Sequence, residues 1–569
     1  VSKFYLLTNR RLAGDSLEVV VIGGGAAGLK AAARVRRLSD EAKITVIEAG
    51  KYPSISRCGL PFYVGGLLQE PKNLLETTYG AVRDVDYFRK VKNIEVLTET
   101  KVVEIDRSKK LVRTEGDEFS YDYLVIATGS KPVKPPIEGL QEEVEGITFL
   151  HSLEDAEKIL DAWDEDAEKA LIIGAGLIGL ECAEALHNLD MEVTVVELMN
   201  HIVPSILDED VARIVESHIK KKIKLMTSSR VEKILNDGER VTGAIVNGKE
   251  LETDLVVVAT GVRPNVDLAV KAGLEIGETG AIKVNDRMQT SDKSIYAGGD
   301  CVENVHLITG KPIYTPMGSV ANKHGRVIGD NICGIDSRFP GVLGTVIFQI
   351  FGMNVGRTGL CERDVCNPVI SRVAGADRFH FHPEHKPIRL KLIADGERIV
   401  GFQAAGFGVI DKRLDIAVSA IQMNATVDDL SNFDLAYAPP YSTAIDLIIA
   451  SANMAKNKLL GLVESISPLE FAEMLKSDES FTVIDVRTEK EFLARSVIDD
   501  RVKNVPLSEL RERYEEVPDK AILICQVGTR SYEAARFLMQ KGKSVKVVDG
   551  GYAFFQPVLE SYGIEVGER

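Results

Sequence analysis

Residues 18–28, EVVVIGGGAAG, decide the fold class. A β-branched run reaches Ile22, and Gly23, Gly25 and Gly28 follow in G-x-G-x-x-G spacing, with Ala26 and Ala27 between the last two. LKAAARVRRL continues at helical spacing, and a second run, KITVIE, ends on Glu48. Each residue type has a reason to stand there. Gly23 makes the turn, Gly25 lets a pyrophosphate approach the backbone, Gly28 lets helix and strand pack, and the helix N-terminus favours the phosphate charge. An acid about 20 residues on can accept ribose hydroxyls. Strand, glycine loop, helix and acid together predict a parallel α/β dinucleotide fold.

The pattern recurs. ALIIG leads into Gly174-Ala175-Gly176-Leu177-Ile178-Gly179, then a helical run beginning LECAEAL, then MEVTVVE ending on Glu197. Two fingerprints imply two dinucleotides. An extended run ending Ala-Thr-Gly follows each unit: Ala127-Thr128-Gly129 and Ala259-Thr260-Gly261. A third run, SIYAGGDC, places Asp300 at a strand end after two glycines, where a carboxylate can reach a flavin ribityl hydroxyl.

The frame around these motifs is ordinary globular chain. At 569 residues it is long enough for three or four domains of roughly 150 residues, each able to bury its own core. A net charge of -16 without a basic block argues against a nucleic-acid partner. No apolar run approaches the ~18 residues of a membrane span. Residues 1–17 lack the order of features of a signal peptide and read as a leader. The seven cysteines are sparse and show no CxxC or zinc spacing. The expected compartment is therefore the reducing cytoplasm, where an important cysteine is reactive rather than structural.

The ordered set of Gly23/Gly25/Gly28, Glu48, two ATG runs, Gly174/Gly176/Gly179 and YAGGD resembles the FAD/NAD(P)-dependent pyridine nucleotide-disulfide oxidoreductases over residues 18–455. The resemblance implies FAD on the first fold, held by the first glycine loop, Glu48, Ala127–Gly129 and Asp300. It implies a nicotinamide on the second, held by Gly174–Gly179, Glu181, Glu197 and Gly261. No Arg for a 2'-phosphate occurs in LMNHIVPS after Glu197, which favours NADH over NADPH.

Between Glu48 and the first ATG lies Tyr52-Pro53-Ser54-Ile55-Ser56-Arg57-Cys58-Gly59-Leu60-Pro61. Pro53 stands where two-cysteine relatives carry the other cysteine. Ser54 and Cys58 resemble the single-cysteine branch: coenzyme A disulfide reductase, persulfide and polysulfide reductases, NADH oxidases and peroxidases. A lone thiolate beside a flavin cycles through a mixed disulfide, a persulfide or a sulfenic acid. Oxidase and peroxidase relatives place a His in the first glycine loop; here it is Ala26, which removes the acid-base group oxygen chemistry would use. Coenzyme A disulfide reductases carry a basic first helix. Arg34 and Arg37 lie on this one, and Arg37 matches a coenzyme A-contacting arginine. Ala436-Tyr437-Ala438-Pro439-Pro440-Tyr441-Ser442 resembles a run that reaches across a homodimer to the partner's cysteine, so Tyr437 or Tyr441 would face that sulfur. The family's other tyrosine has no counterpart in Phe379-His380-Phe381-His382-Pro383.

From SPLEFAEML onward the chain resembles a rhodanese domain, with a DVR strand (Asp485, Arg487), a cysteine loop and a closing DGG, although RSVIDDRVKN replaces the usual GHIxGA. Cys525-Gln526-Val527-Gly528-Thr529-Arg530 places four residues between Cys525 and Arg530, a tighter ring than tyrosine phosphatases use. Inward amides lower a thiol pKa and hold an anionic persulfide. The whole resembles a coenzyme A disulfide reductase–rhodanese fusion.

The expected division is a leader at 1–17, an FAD-binding domain at 18–150 and 279–334, an NAD-binding domain at 151–278, a dimerisation domain at 335–455, a linker at 456–465 and a rhodanese domain at 466–569. The expected activity is NADH-dependent reduction of persulfide, polysulfide or coenzyme A disulfide, with catalytic Cys58, Ser54, Tyr437, Tyr441, Cys525 and Arg530. Coenzyme A would be substrate or carrier, and no metal is expected. An NADH oxidase or peroxidase with an appended rhodanese is the enzymatic alternative; a sulfur-delivery or redox-sensing scaffold is the other.

Overall fold

The computed structural model describes residues 16–141 and 144–569; most of the leader falls outside them. The first sheet is parallel throughout, in the order Ile295–Ala297, Tyr123–Ile126, Glu18–Ile22, Lys43–Ile47, Glu95–Leu97. Its central strands are buried: helix Ala26–Leu38 packs on them, Gly318–Ile332 packs on that helix, and Val102, Ile105 and Val112 of the antiparallel strands Val102–Asp106 and Leu111–Thr114 lie in the same core. A strand from residues 295–297 lying beside one from 123–126 means that the chain leaves this fold and returns.

The excursion builds the second parallel sheet, ordered Lys224–Met226, Glu192–Val196, Lys169–Ile173, Leu255–Val258, Ile147–Thr148. Two expected boundaries move. Ile147–Thr148 already belongs to the second sheet, so the first segment ends before residue 150. Ala269 and Leu274 already pack into the first core, so the chain returns before residue 279. Neither place carries a sequence signal, because one is a two-residue strand and the other a five-residue helix, Asp267–Lys271.

A five-stranded antiparallel sheet follows, in the order Val346–Ile350, Met353–Gly359, Arg398–Gly406, Pro387–Asp395, Pro368–Ala376. Helices Asp411–Gln422 and Leu447–Leu459 pack against it. The expected linker at 456–465 shortens to residues 460–463: that last helix runs to Leu459, and Glu464–Ile466 is already the edge of the final sheet. The final sheet is parallel, in the order Glu464–Ile466, Lys546–Val548, Ile522–Ile524, Val483–Asp485, Val502–Asn504.

The C-terminal unit is docked rather than tethered. Helix Tyr552–Ser561 packs on Glu209–Ile219 of the second unit, and Phe554 lies in the same buried core as Val211, Ile214 and Val215.

Candidate functional site

The two glycine loops open onto one groove of about 1990 Å³. Both following helices begin without a side-chain cap, at Gly25 and Gly176, so their first amides are left for a ligand. A Cβ at Gly25 would meet nothing within 4 Å, whereas one at Gly28 would fall 2.0 Å from the Gly23 carbonyl oxygen. One glycine is an open cradle and the other a contact between helix and strand.

Each strand-terminal acid is tied back to its loop. The Gly24 N–H donates to Glu48 Oε2 at 2.6 Å and the Gly50 N–H to Oε1 at 2.7 Å. In the second fold the Ala175 N–H donates to Glu197 Oε2 at 2.8 Å and the Met199 N–H to Oε1 at 2.9 Å. Gly23, Ala26, Ala27, Ala127–Gly129, Asp300, Gly174, Gly176, Leu177, Ile178, Glu181 and Gly261 line the same groove, while Gly179 packs behind it against Gly174. Arg230, outside the stretch LMNHIVPS, also lines it, next to Ser229, whose N–H donates to the Glu197 carbonyl.

Cys58 sits in the groove in a single turn, Arg57–Gly59, ahead of helix Leu60–Val64. Its thiol is pushed up by burial and by the negative charges of Glu181 and Asp300. Burial, then Glu184, raises the Glu181 carboxyl to about 7. Burial also raises Asp300, against the pull of Arg57 and a hydrogen bond from Ser130 Oγ at 3.3 Å. Ser54 lines the groove in the left-handed region, φ 61°, with its N–H held by the Gly24 carbonyl at 2.8 Å.

Two groove residues have no motif to announce them. Arg57 Nη1 lies 3.2 Å from His151 Nε2, and burial, reinforced by that cation, lowers the His151 imidazole to about 4. Ala26, the first residue of its helix, is exposed and offers no acid or base.

The arginines and tyrosines divide. Arg37 is exposed and lines the groove. Arg34 does not reach it: its Nε donates to Asp330 at 2.6 Å, tying Ala26–Leu38 to Gly318–Ile332. Arg34, also expected at coenzyme A, ties one helix to another through Asp330, which stands 296 residues away in sequence. Tyr437 and Tyr441 do not line the groove; their side chains stand in the open, 52% and 71% exposed. The Tyr437 ring meets Phe379 edge to face at 6.1 Å, and Phe381 stacks on Phe379 at 4.9 Å. Below this exposed patch, buried Ser442 donates to Asp446, which grips the buried Arg413 at 3.0 and 2.8 Å.

Cys525 directly follows strand Ile522–Ile524 and is fully buried. Its sulfur accepts the Gly528 N–H at 3.2 Å and the Ser531 N–H at 3.3 Å, at the start of helix Thr529–Gln540. Arg530, which closes the ring from Cys525, forks onto Glu491, with both Nη atoms 2.8 Å from its two oxygens, and also lies within reach of the Cys525 charge. That pair holds the Glu491 carboxyl down to about 2. Asp485 and Arg487 form a buried pair at 2.7 Å, with the guanidinium 3.8 Å from the Tyr552 ring centre.

The pyridine nucleotide-disulphide oxidoreductase profile matches residues 17–317. The chain belongs to this family. A rhodanese-like domain profile matches residues 467–556. Among solved structures, a NAD-dependent persulfide reductase from A. fulgidus superimposes with a TM-score of 0.90 at 52% identity, covering 95% of this chain and 100% of that one. Among relatives, an NADH oxidase of Methanocaldococcus jannaschii is 37% identical, over 78% of this chain and 99% of its own. The NAD(P)H coenzyme A polysulfide/persulfide reductase of Pyrococcus horikoshii is 36% identical, over 77% of this chain and 98% of its own.

Members of the pyridine nucleotide-disulphide oxidoreductase family work with FAD and a pyridine nucleotide. The groove fits both groups: two uncapped helix starts, the open side of Gly25, and an acid at the end of each second strand.

Proposed function

We propose that the protein is an NADH-dependent reductase of persulfides, polysulfides or coenzyme A disulfide, with the rhodanese unit supplying sulfane sulfur. The observation that carries this reading is the pairing, in one chain, of a single cysteine in the dinucleotide groove with a second cysteine whose sulfur faces inward amides. The names of the A. fulgidus and P. horikoshii proteins support it.

Bound FAD would supply two-electron transfer between NADH and sulfur at Cys58. The Cys58 thiolate attacks the sulfane sulfur of a persulfide, and the substrate thiolate leaves. The sulfur retained on Cys58 departs as hydrogen sulfide once two electrons and a proton arrive, restoring the thiolate. Glu181, with its carboxyl near 7, stands in the groove as a proton store for these departures. Glu48 and Asp300 orient the flavin nucleotide, Glu197 the nicotinamide nucleotide, and Arg37 a coenzyme A phosphate. Cys525 accepts sulfane sulfur as a persulfide, and coenzyme A carries it toward Cys58.

The same reading makes the protein a homodimer in which Tyr437 or Tyr441 of one protomer faces the partner's Cys58. The exposure of both tyrosines and their separation from the groove of their own chain support it. This reading takes the chain as an FAD-binding, an NAD-binding, a dimerisation and a rhodanese unit, with the boundaries at the strands described above.

The name of the M. jannaschii relative favours an NADH oxidase instead; Ala26 stands against it. The deciding experiment follows NADH consumption by the purified protein. Consumption that requires polysulfide or a coenzyme A persulfide carries the reductase reading. Consumption with oxygen alone carries the oxidase, and none at all carries a sulfur-delivery scaffold. Cys525→Ser then separates the units: loss only with substrates that must first load the rhodanese places Cys525 upstream of Cys58.

A further inference from the structure

The segment Asp549–Ala553 is held from both sides. On one side it walls the Cys525 loop. Gly551, at φ 64°, lies so close that a Cβ there would stand 2.5 Å from the Cys525 carbonyl oxygen and 2.7 Å from the Gly528 nitrogen. The Tyr552 N–H donates to the Cys525 carbonyl and the Ala553 N–H to the Gln526 carbonyl, both at 2.9 Å. On the other side, groups of the flavoprotein part grip the same segment. Buried Asp549 accepts Lys458 Nζ at 2.6 Å and Arg372 Nη1 at 3.3 Å. Arg389 Nε donates to the Ala553 carbonyl.

These grips are anchored. Arg372 is buried and also bonds Asp210 at 2.5 Å and Glu362 at 2.8 Å. Lys391, fully buried beside it, meets Asp208, Asp210 and Glu362 between 2.7 and 2.9 Å. Removing one member of such a network leaves a buried charge uncompensated. Arg389 differs: it carries no salt bridge among the described residues, and desolvation alone lowers its pKa. A guanidinium without a carboxylate thus holds the carbonyl of Ala553, whose N–H in turn holds the Gln526 carbonyl next to Cys525.

We infer that Arg372, Lys458 and above all Arg389 are positioning residues for sulfur transfer at Cys525, so that the flavoprotein part completes the rhodanese loop. The inference rests on the reading of Cys525 as a sulfur carrier. In the step concerned, the Cys525 thiolate takes the outer sulfur of thiosulfate, the S–S bond breaks, and sulfite leaves with the bonding pair.

The test uses the full-length protein with its flavin, comparing wild type, Arg389→Met and Arg389→Lys. Two readouts are taken, both by peptide mass: thiosulfate-driven persulfide formation on Cys525, and the rate of Cys525 alkylation at one fixed pH. Arg389→Met is expected to slow both about fivefold, the equivalent of one hydrogen bond, with Arg389→Lys close to wild type. NADH reduction of the flavin and Cys58 alkylation stay unchanged. An Arg389→Met protein with wild-type uptake overturns the inference. If Arg389→Met also loses flavin reduction, the same readouts are taken on Asp549→Asn, which keeps the volume, and wild-type uptake there overturns it. If wild type takes up no sulfur while Cys525 alkylation still slows in the variant, the carrier reading fails and the positioning of the loop stands.

Discussion

Glu197 holds the amide of Ala175 at 2.8 Å, so one buried carboxylate shapes the second glycine loop, and under the proposed function the same carboxylate would accept the ribose hydroxyls of NADH. Glu197→Ala removes both. The KM for NADH is expected to rise about tenfold or more, for a charged hydrogen bond worth about 1.5–3 kcal/mol. Glu197→Gln, which keeps one acceptor oxygen, should lose less. Steady-state kinetics with NADH and NADPH check this. A wild-type preference for NADPH would reverse the reading of Glu197 and turn attention to Arg230 in the same wall.

Cys58→Ser should abolish sulfur reduction while leaving the protein yellow and its flavin reducible by NADH, because hydride acceptance does not use the thiol. Anaerobic single-turnover absorbance at the flavin band separates the two steps. Full turnover with sulfur substrates in this variant would sink the role given to Cys58.

Gly551→Ala forces a Cβ to within 2.5 Å of the Cys525 carbonyl at a positive φ. It should destabilise the C-terminal unit by about 2–3 kcal/mol and block sulfur uptake. Flavin reduction by NADH should persist. Calorimetry with a thiocyanate-release assay measures both effects, and a variant with normal uptake would show that the loop has room to yield.

His324 is fully buried, accepts the Gly299 N–H at Nδ1, and is lowered to about 4 by burial, then by Lys323. A folded pKa below the unfolded value of about 6.5 means that the unfolded chain binds the proton first. The stability tied to His324 is therefore present above pH 6.5 and drains away as the pH falls toward 4. The loss is about 2–3 kcal/mol over that window. His324→Gln should show a shallower fall in Tm between pH 7 and 4.5 than wild type. His151, lowered in the same direction, leaves part of the slope in place.

Locally encoded features were legible in the chain. A glycine loop, its helix and the acid closing the next strand lie within about 25 residues, so both dinucleotide folds, Glu48, Glu197, Cys58 and the Cys525 loop could be read off directly. Ala26 could be read the same way, as the absence of an acid-base side chain at one position of one loop. These depend on backbone turns and helix starts, which neighbouring residues dictate.

What the tertiary structure decided depends on partners distant in sequence. Arg34 pairs with Asp330, Arg530 with Glu491, and Arg57 with His151; no spacing rule announces any of these pairs. The anticipated linker is mostly a helix end and a sheet edge, because Arg372, Lys458 and Asp549 pair across the join. A charged side chain reaches its partner through space, so the sequence determines that Arg34, Arg372 and Arg530 are cations, and only the packing of helices and sheets determines which carboxylate each one meets.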